Sequence, residues 1–171
     1  IENTLVGGQA GDKLSDADYN TALGTTALSA DTFGSRSTAL GWHALAIQNF
    51  TTATNSYNTA VGFDAGALIT TGTSNTLIGG LAGDAVQTGS YSTAVGRGSL
   101  SAACSDHNTA LGYASLNAAT GTNSTAVGSN AGYAVTSGDN NLILGKDAGR
   151  TGSPGGNITT GDNEIALGDE N

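Results

Sequence analysis

Polar and apolar residues follow one five-residue phrase that recurs along the whole chain. The phrase runs from a polar residue through Thr and two apolar residues to Gly, as in residues 58–62, which read Asn-Thr-Ala-Val-Gly. Copies or close variants of it begin at residues 3, 20, 37, 58, 75, 92, 108, 124, 141 and 164. Recurrence at a nearly constant spacing indicates a repeat architecture in which each copy belongs to one structural unit.

The spacing of the phrases defines the length of one coil. Successive phrase glycines lie 17, 17, 21, 17, 17, 16, 16, 17 and 23 residues apart. Most coils therefore have 16 to 17 residues, and two carry insertions, near 46–57 and 150–162. Turn sequences precede the phrases, such as Ser-Gly-Asp-Asn at residues 137–140, where Gly and Asn readily adopt positive φ. Each coil is therefore predicted to contain two strands, each followed by a turn.

This pattern predicts an all-β fold, a parallel β-solenoid of about ten coils that forms a single repeat domain over residues 1–171. Thr, Ser, Asn and Gly disfavour helix interiors, and no long helical stripe of apolar residues is present. Coils stacked in register at about 4.8 Å would align equivalent positions into columns and form a rod roughly 45 to 50 Å long.

The two adjacent apolar positions of the phrase predict an assembly. Alternate residues of a strand point to opposite faces, so the third and fourth phrase positions indicate that both faces of the strand are covered. One face lines the coil interior, and the other requires a second chain. Either the larger Leu, Val and Ile column or the smaller column could face the interior. The sequence therefore predicts an oligomer whose strands line a shared axis.

Composition and charge narrow the classes of partner. The net charge is −9 with only five Lys and Arg residues, which argues against nucleic-acid binding because phosphate recognition needs a basic patch. No apolar stretch is long enough to insert into a membrane, and no signal peptide is recognisable. The single Cys104 excludes an intrachain disulfide and is compatible with an extracellular location. Ile1 does not look like a natural start, and we expect both ends to continue or to be capped.

The phrase also resembles known fibre repeats. Asn58 to Gly66 followed by Thr71 to Gly79 is similar to the repeats of bacteriophage tail and neck fibres. The same phrase resembles the head repeats of YadA-type trimeric autotransporter adhesins, although those coils are shorter. The resemblance covers nearly the whole chain and implies left-handed β-rolls packed side by side as a homotrimer. It implies a structural or attachment role in an extracellular fibre, on a virion or on a bacterial cell surface.

Aromatic residues recur at the two ends of the phrase and are the candidate binding residues. Trp42, Phe63 and Tyr113 each follow a phrase Gly, and Tyr57 and Tyr91 each precede a phrase. Aromatic rings on a polar rod can stack against sugar rings, which predicts a carbohydrate-binding surface. The alternative is that these rings pack within the turns. The expected partners are thus further copies of the chain and either host surface glycans or other fibre proteins.

No catalytic, metal or cofactor site is predicted, and we do not expect an enzyme. Asp12, Asp16 and Asp18 lie close together in one loop, but the remaining ligands of a Ca²⁺ site are missing. The other acidic residues are scattered and do not form the close carboxylate pair of a glycosidase. A further function class is ice binding, because a column of one Thr per coil can form a flat ladder.

Overall fold

The computed structural model describes residues 2–153 and 155–168, and these residues form no helix. They contain twelve short strands, ten of which pair in one parallel sheet, one strand for each phrase. The predicted parallel β-solenoid is therefore confirmed. The strands are β1 (Thr4–Val6), β2 (Thr21–Leu23), β3 (Gly34–Ser35), β4 (Thr38–Leu40), β5 (Thr54–Asn55), β6 (Thr59–Val61), β7 (Thr76–Ile78), β8 (Thr93–Val95), β9 (Thr109–Leu111), β10 (Thr125–Val127), β11 (Leu142–Leu144) and β12 (Ile165–Leu167).

The large sheet has the strand order β1-β2-β4-β6-β7-β8-β9-β10-β11-β12, so neighbouring strands follow one another along the chain. Its register places equivalent phrase positions side by side; Thr59 pairs with Thr76, for example, and Val61 pairs with Ile78. The solenoid closes about eight turns rather than the ten predicted. The ten strands of the sheet are joined by nine connections, so a count of phrases exceeds the count of closed turns.

The third phrase position points into the solenoid and forms one wall of its core. It is Ala in most strands and Leu77 or Ile143 in two of them, and from β2 to β12 these side chains are fully buried. Leu5 holds the same position in β1 but is exposed at the end of the stack. The larger column of the phrase therefore does not fill the interior.

Leu and Gly share one position in the opposite wall of the core. From Gly7 to Gly145, the fourth residue past each phrase Gly has a left-handed backbone and is either Leu, as at Leu116, or Gly, as at Gly66. Where it is Leu, the interior facing it is already filled. At Gly66 the facing space is occupied by Leu77, since a Cβ on Gly66 would lie 2.8 Å from Leu77 Cδ1. Leu77 thus packs into space that a side chain at Gly66 would otherwise occupy, as close packing requires.

The first phrase position forms a buried hydrogen-bond ladder. Asn75 Nδ2 donates to the Gly89 carbonyl at 2.8 Å, and its Oδ1 accepts from the Ser92 amide at 2.9 Å. The Asn75 amide in turn donates to Asn58 Oδ1 at 2.9 Å. A Ser at this position continues the ladder as an acceptor, since Ser92 Oγ accepts from the amide of Asn108. Each Asn therefore ties its coil to both neighbours with satisfied polar groups.

The insertion near 46–57 is anchored to the preceding coil. Its strand β5 pairs with β3, and beneath this small sheet Asp31 is fully buried. The Asp31 carboxylate accepts hydrogen bonds from the amides of Gly34 and Phe50 and from Gln48 Nε2, the last at 2.6 Å. The insertion near 150–162 includes residue 154, which lies outside the described residues, while Ile158 within it is buried.

Candidate functional site

The outward side of the ten-stranded sheet consists of a column that is mostly Thr beside a column of Leu, Val and Ile. Its second and fourth phrase positions point outward because the third points inward, and the fourth-position residues Leu111 and Val127 are 47% and 36% exposed. No charged residue occupies either position in the ten strands. We call this surface the apolar face; its second positions are Thr4, Thr21, Thr38, Thr59, Thr76, Thr93, Thr109, Thr125, Leu142 and Ile165, and its fourth positions are Val6, Leu23, Leu40, Val61, Ile78, Val95, Leu111, Val127, Leu144 and Leu167.

A first column of side chains borders the apolar face where the strands begin. We call it the leading ladder; from the second coil to the seventh its members, each preceding a phrase, are Tyr19, Arg36, Tyr57, Ser74, Tyr91 and His107. All six have φ between 50° and 66°. The Arg36 guanidinium lies over the Tyr19 ring at 4.7 Å and over the Tyr57 ring at 6.0 Å. Tyr91 stacks on His107 with ring centroids 5.0 Å apart.

A second column borders the other edge of the apolar face, where the strands end. We call it the trailing ladder; its aromatic and cationic members, each following a phrase Gly, are Trp42, Phe63, Arg97, Tyr113 and Lys146. Trp42 and Phe63 stack with centroids 4.9 Å apart and planes 13° from parallel. Arg97 lies over the Tyr113 ring at 6.0 Å.

The structure places the five predicted binding residues in two separate ladders. Tyr57 and Tyr91 belong to the leading ladder, and Trp42, Phe63 and Tyr113 belong to the trailing ladder. All five are exposed, by 47% to 59%, and stack against ladder neighbours rather than packing beneath turns. Exposure leaves them free to bind, as the carbohydrate interpretation requires.

The sequence reasoning missed the cationic members of the ladders. Arg36 and His107 hold the same position before a phrase as the tyrosines, and Arg97 holds the same position after a phrase as Trp42. Cations and aromatic rings attract one another at these separations. Aligning all residues on the phrase, rather than the aromatic residues alone, would have found them.

The chain matches no protein-family model, no curated protein and no solved structure. The evidence for its function therefore lies in the apolar face and the two ladders that border it.

Titratable groups with a shifted pKa lie away from the ladders or have structural partners. Burial raises the pKa of the Cys104 thiol to about 11, so the thiol stays protonated and is a poor nucleophile near neutral pH. Burial also raises the pKa of Asp84. Hydrogen bonds from Lys146, Arg150 and Asn130 lower the pKa of Asp147 to about 2. These shifts follow from burial and ion pairing.

Metal-binding clusters and membrane-spanning helices are absent from the part of the chain that the structure describes. Within residues 2–153 and 155–168, no three His, Cys, Asp or Glu side chains lie close enough together to hold a metal ion. His43 Nδ1 instead pairs with Asp64 Oδ1 at 2.6 Å. Over the same residues no helix could cross a membrane. A surface depression of about 600 Å³ is lined in part by Lys146, Asp147 and Arg150, which form the ion pairs described above.

Proposed function

We propose that this chain is a structural and attachment segment of an extracellular trimeric fibre. Three left-handed solenoids would pack side by side around a threefold axis, as in the bacteriophage tail and neck fibres that the repeats resemble. A bacterial surface adhesin head is an alternative setting for the same assembly. The observation that carries the proposal is the apolar face, since it is the uncharged outer surface of a parallel sheet.

Physical chemistry argues that the apolar face is covered by another protein surface. Parallel sheets are normally covered on both faces, and monomers rarely expose apolar patches larger than a few hundred Å². Ten strands at about 4.8 Å make the face about 48 Å long, and the seven residues from one ladder to the other span at most about 20 Å. The surface is thus on the order of 900 Å², close to the roughly 800 Å² that each partner buries in a standard interface.

The distribution of charge favours self-association over capture of a different partner. The chain carries 14 acidic and five Lys and Arg residues, yet none of them lies on the apolar face. Copies of the chain can therefore approach through this face without bringing like charges into contact, while the net charge of −9 keeps the outer surface soluble. A ring of copies around a shared axis covers every apolar face and keeps all rods pointing in one direction, as a fibre requires.

We propose a fibre segment and not an enzyme. The groups with shifted pKa described above are a buried thiol, the Asp84 carboxylate, whose pKa burial raises, and the Asp147 carboxylate, which is held by ion pairs and a hydrogen bond. The rod presents instead two long columns of stacked side chains, which suits binding along its length. This role would be exercised outside the cell, where virion fibres and surface adhesins both act.

Ile78→Arg is expected to dissociate the assembly. Ile78 lies at the middle of the apolar face and is 39% exposed. In the trimer an arginine here would place three cations near the axis without water or a partner charge, which is strongly unfavourable. The matched control is Leu68→Arg, because Leu68 is 42% exposed but lies outside the apolar face.

Light scattering measures the native mass of each variant, and far-UV circular dichroism shows whether it keeps its β structure. We expect a three-chain mass for the unaltered protein and for Leu68→Arg. For Ile78→Arg we expect a one-chain mass with the β spectrum retained. Equal masses for the two variants would refute this interface.

One observation favours a second candidate function, ice binding. The Thr column points outward on a parallel sheet, which is the orientation that an ice-binding surface needs. A bulky aliphatic column runs beside it, however, instead of a second Thr column. Thermal hysteresis from a one-chain particle would favour ice binding over the fibre, whereas a covered face predicts none.

A further inference from the structure

We propose that Tyr57 and Tyr91 hold one neutral pyranose ring between them, in a slot whose floor is Ser74. If the chain is an attachment segment, this slot would make neutral sugars its class of ligand. It rests on the leading ladder of one chain and on that role, but not on the trimer.

The slot arises because Ser74 interrupts the leading ladder. Tyr57, Ser74 and Tyr91 precede consecutive strands of the sheet, so the two tyrosines are two coil spacings apart, or about 9.6 Å. The Ser74 side chain is too short to reach between their rings. A ring inserted there would lie about 4.8 Å from each tyrosine. This is the separation at which the chain stacks its own rings, 4.9 Å for Trp42 and Phe63 and 5.0 Å for Tyr91 and His107.

Both tyrosines are supported on the side away from the slot. Arg36 lies over one face of the Tyr57 ring, and His107 stacks on one face of the Tyr91 ring. The opposite faces of the two rings therefore border the slot. Tyr57 and Tyr91 are 55% and 59% exposed, so a ligand can reach these faces from solvent. Holding the rings in place before binding reduces the entropy that a ligand would otherwise cost.

The polarity of the slot favours a sugar over a purely aromatic ligand. A pyranose presents C–H groups to both aromatic faces and hydroxyl groups at its rim, so it can stack on the tyrosines and also hydrogen-bond to the floor of the slot. The Ser74 amide donates to the Ser56 carbonyl at 2.7 Å. Among the described residues, the Ser74 hydroxyl has no hydrogen-bond partner, so it can pair with a sugar hydroxyl. A net charge of −9 disfavours anionic sugars, which leaves neutral ones.

The trailing ladder has a gap at the same coil, but it makes a weaker slot. Gly80 lies there between Phe63 and Arg97. One of its two walls is a guanidinium rather than a ring, and Gly80 supplies no side-chain hydroxyl. Two-sided stacking on aromatic rings is therefore a property of the Ser74 slot, which is why the proposal is confined to it.

Ser74→Tyr is the variant that tests the slot most sharply. It inserts the chain's own ring where the sugar would lie, and the backbone already suits tyrosine, because φ is 58° at Ser74, 50° at Tyr57 and 58° at Tyr91. Tyr91→Ala removes one wall. Tyr133→Ala is the matched control, since Tyr133 is exposed by 42% but belongs to neither ladder.

The experiment measures binding of the full chain, in its native assembly, to a panel of immobilised neutral oligosaccharides ending in glucose, galactose, mannose or N-acetylglucosamine. We expect at least one of them to bind. We expect Ser74→Tyr and Tyr91→Ala each to weaken that binding at least tenfold, with Tyr133→Ala equal to the unaltered protein. Native mass and thermal unfolding are recorded for every variant.

Two results would overturn the slot. One is that no neutral oligosaccharide binds, and the other is that Ser74→Tyr binds as tightly as the unaltered chain. If Ser74→Tyr changes the particle mass while no sugar binds, a neighbouring chain fills the slot and the sugar proposal is wrong. A three-chain particle without sugar binding leaves the fibre proposal standing. A one-chain particle that binds through the slot refutes the trimer alone.

Discussion

Gly79→Ala is expected to lower the free energy of unfolding by about 4 kcal/mol or more, which for a marginally stable chain means loss of the fold. Gly79 ends the phrase of the central strand β7 with φ +132°, a conformation that L side chains rarely adopt. An added Cβ would also lie 2.7 Å from the backbone of Gly96 in the next coil, and backbone there cannot move aside without breaking the register. Backbone strain and steric overlap therefore both destabilise the variant.

The adjacent Gly80→Ala provides a matched control. Gly80 lies outside the positive-φ region, and the nearest atom to an added Cβ is the Phe63 carbonyl oxygen at 3.9 Å. We expect this variant to unfold within a few degrees of the unaltered chain. Thermal unfolding followed by circular dichroism compares the two variants. Equal melting temperatures would contradict the close approach of successive phrase glycines.

Asn75→Leu is expected to lower the free energy of unfolding by about 4 kcal/mol. Leucine is similar in volume but cannot replace the two side-chain hydrogen bonds of the ladder, so the Gly89 carbonyl and the Ser92 amide would be left unpaired. Asn75 is fully buried, and a buried polar group without a partner costs about 1–3 kcal/mol. Asn58 Oδ1 would still accept the hydrogen bond from the backbone amide of residue 75. The substitution therefore removes only the hydrogen bonds to the following coil.

Asn75→Ser separates the role of the acceptor from that of the donor. Ser92 and Ser124 hold this position naturally, and each hydroxyl accepts from the amide of the next coil, at 3.2 Å in both cases. We expect serine to recover at least half of the stability lost with leucine. Chemical denaturation of both variants gives the two free energies. A serine variant as unstable as the leucine variant would show that the ladder does not act through this acceptor.

The period, the strand positions and the parallel stacking could be predicted because they depend on local rules repeated in every coil. Each phrase ends in Gly, where the backbone needs positive φ. Each phrase also begins with a residue whose side chain can accept a hydrogen bond from the next coil. This residue is Asn or Ser except in the last phrase, which begins with Glu164. The copies agree with one another, so a weak signal in one coil is reinforced by the others. Insertions were found for the same reason, as departures from a constant spacing.

Which apolar column faces the interior could not be predicted from the phrase, because both columns are apolar. The answer depends on the opposite wall, where Leu and Gly alternate irregularly between coils. Leu77 faces inward between Gly66 and Gly83, since an added Cβ at either glycine would lie 2.8 Å or less from its methyl groups. Large third-position residues thus coincide with glycines in the opposite wall. This correlation was present in the sequence but becomes meaningful only once both walls are known.

The candidate site was predicted residue by residue and not as an arrangement. Tyr57 and Tyr91 were chosen because they are aromatic, but their importance depends on a residue between them that is not. Ser74 carries no signal by itself, and Arg36 and His107 were not linked to the tyrosines. Only the register of consecutive coils shows that these residues form one column with one gap.

The native mass of the unaltered chain, measured by sedimentation over a wide range of protein concentration, tests most directly whether the apolar face is an interface between copies. The account predicts a particle of three 16.7 kDa chains that persists on dilution. A single folded chain at every concentration would contradict it, because the apolar face would then be exposed to water.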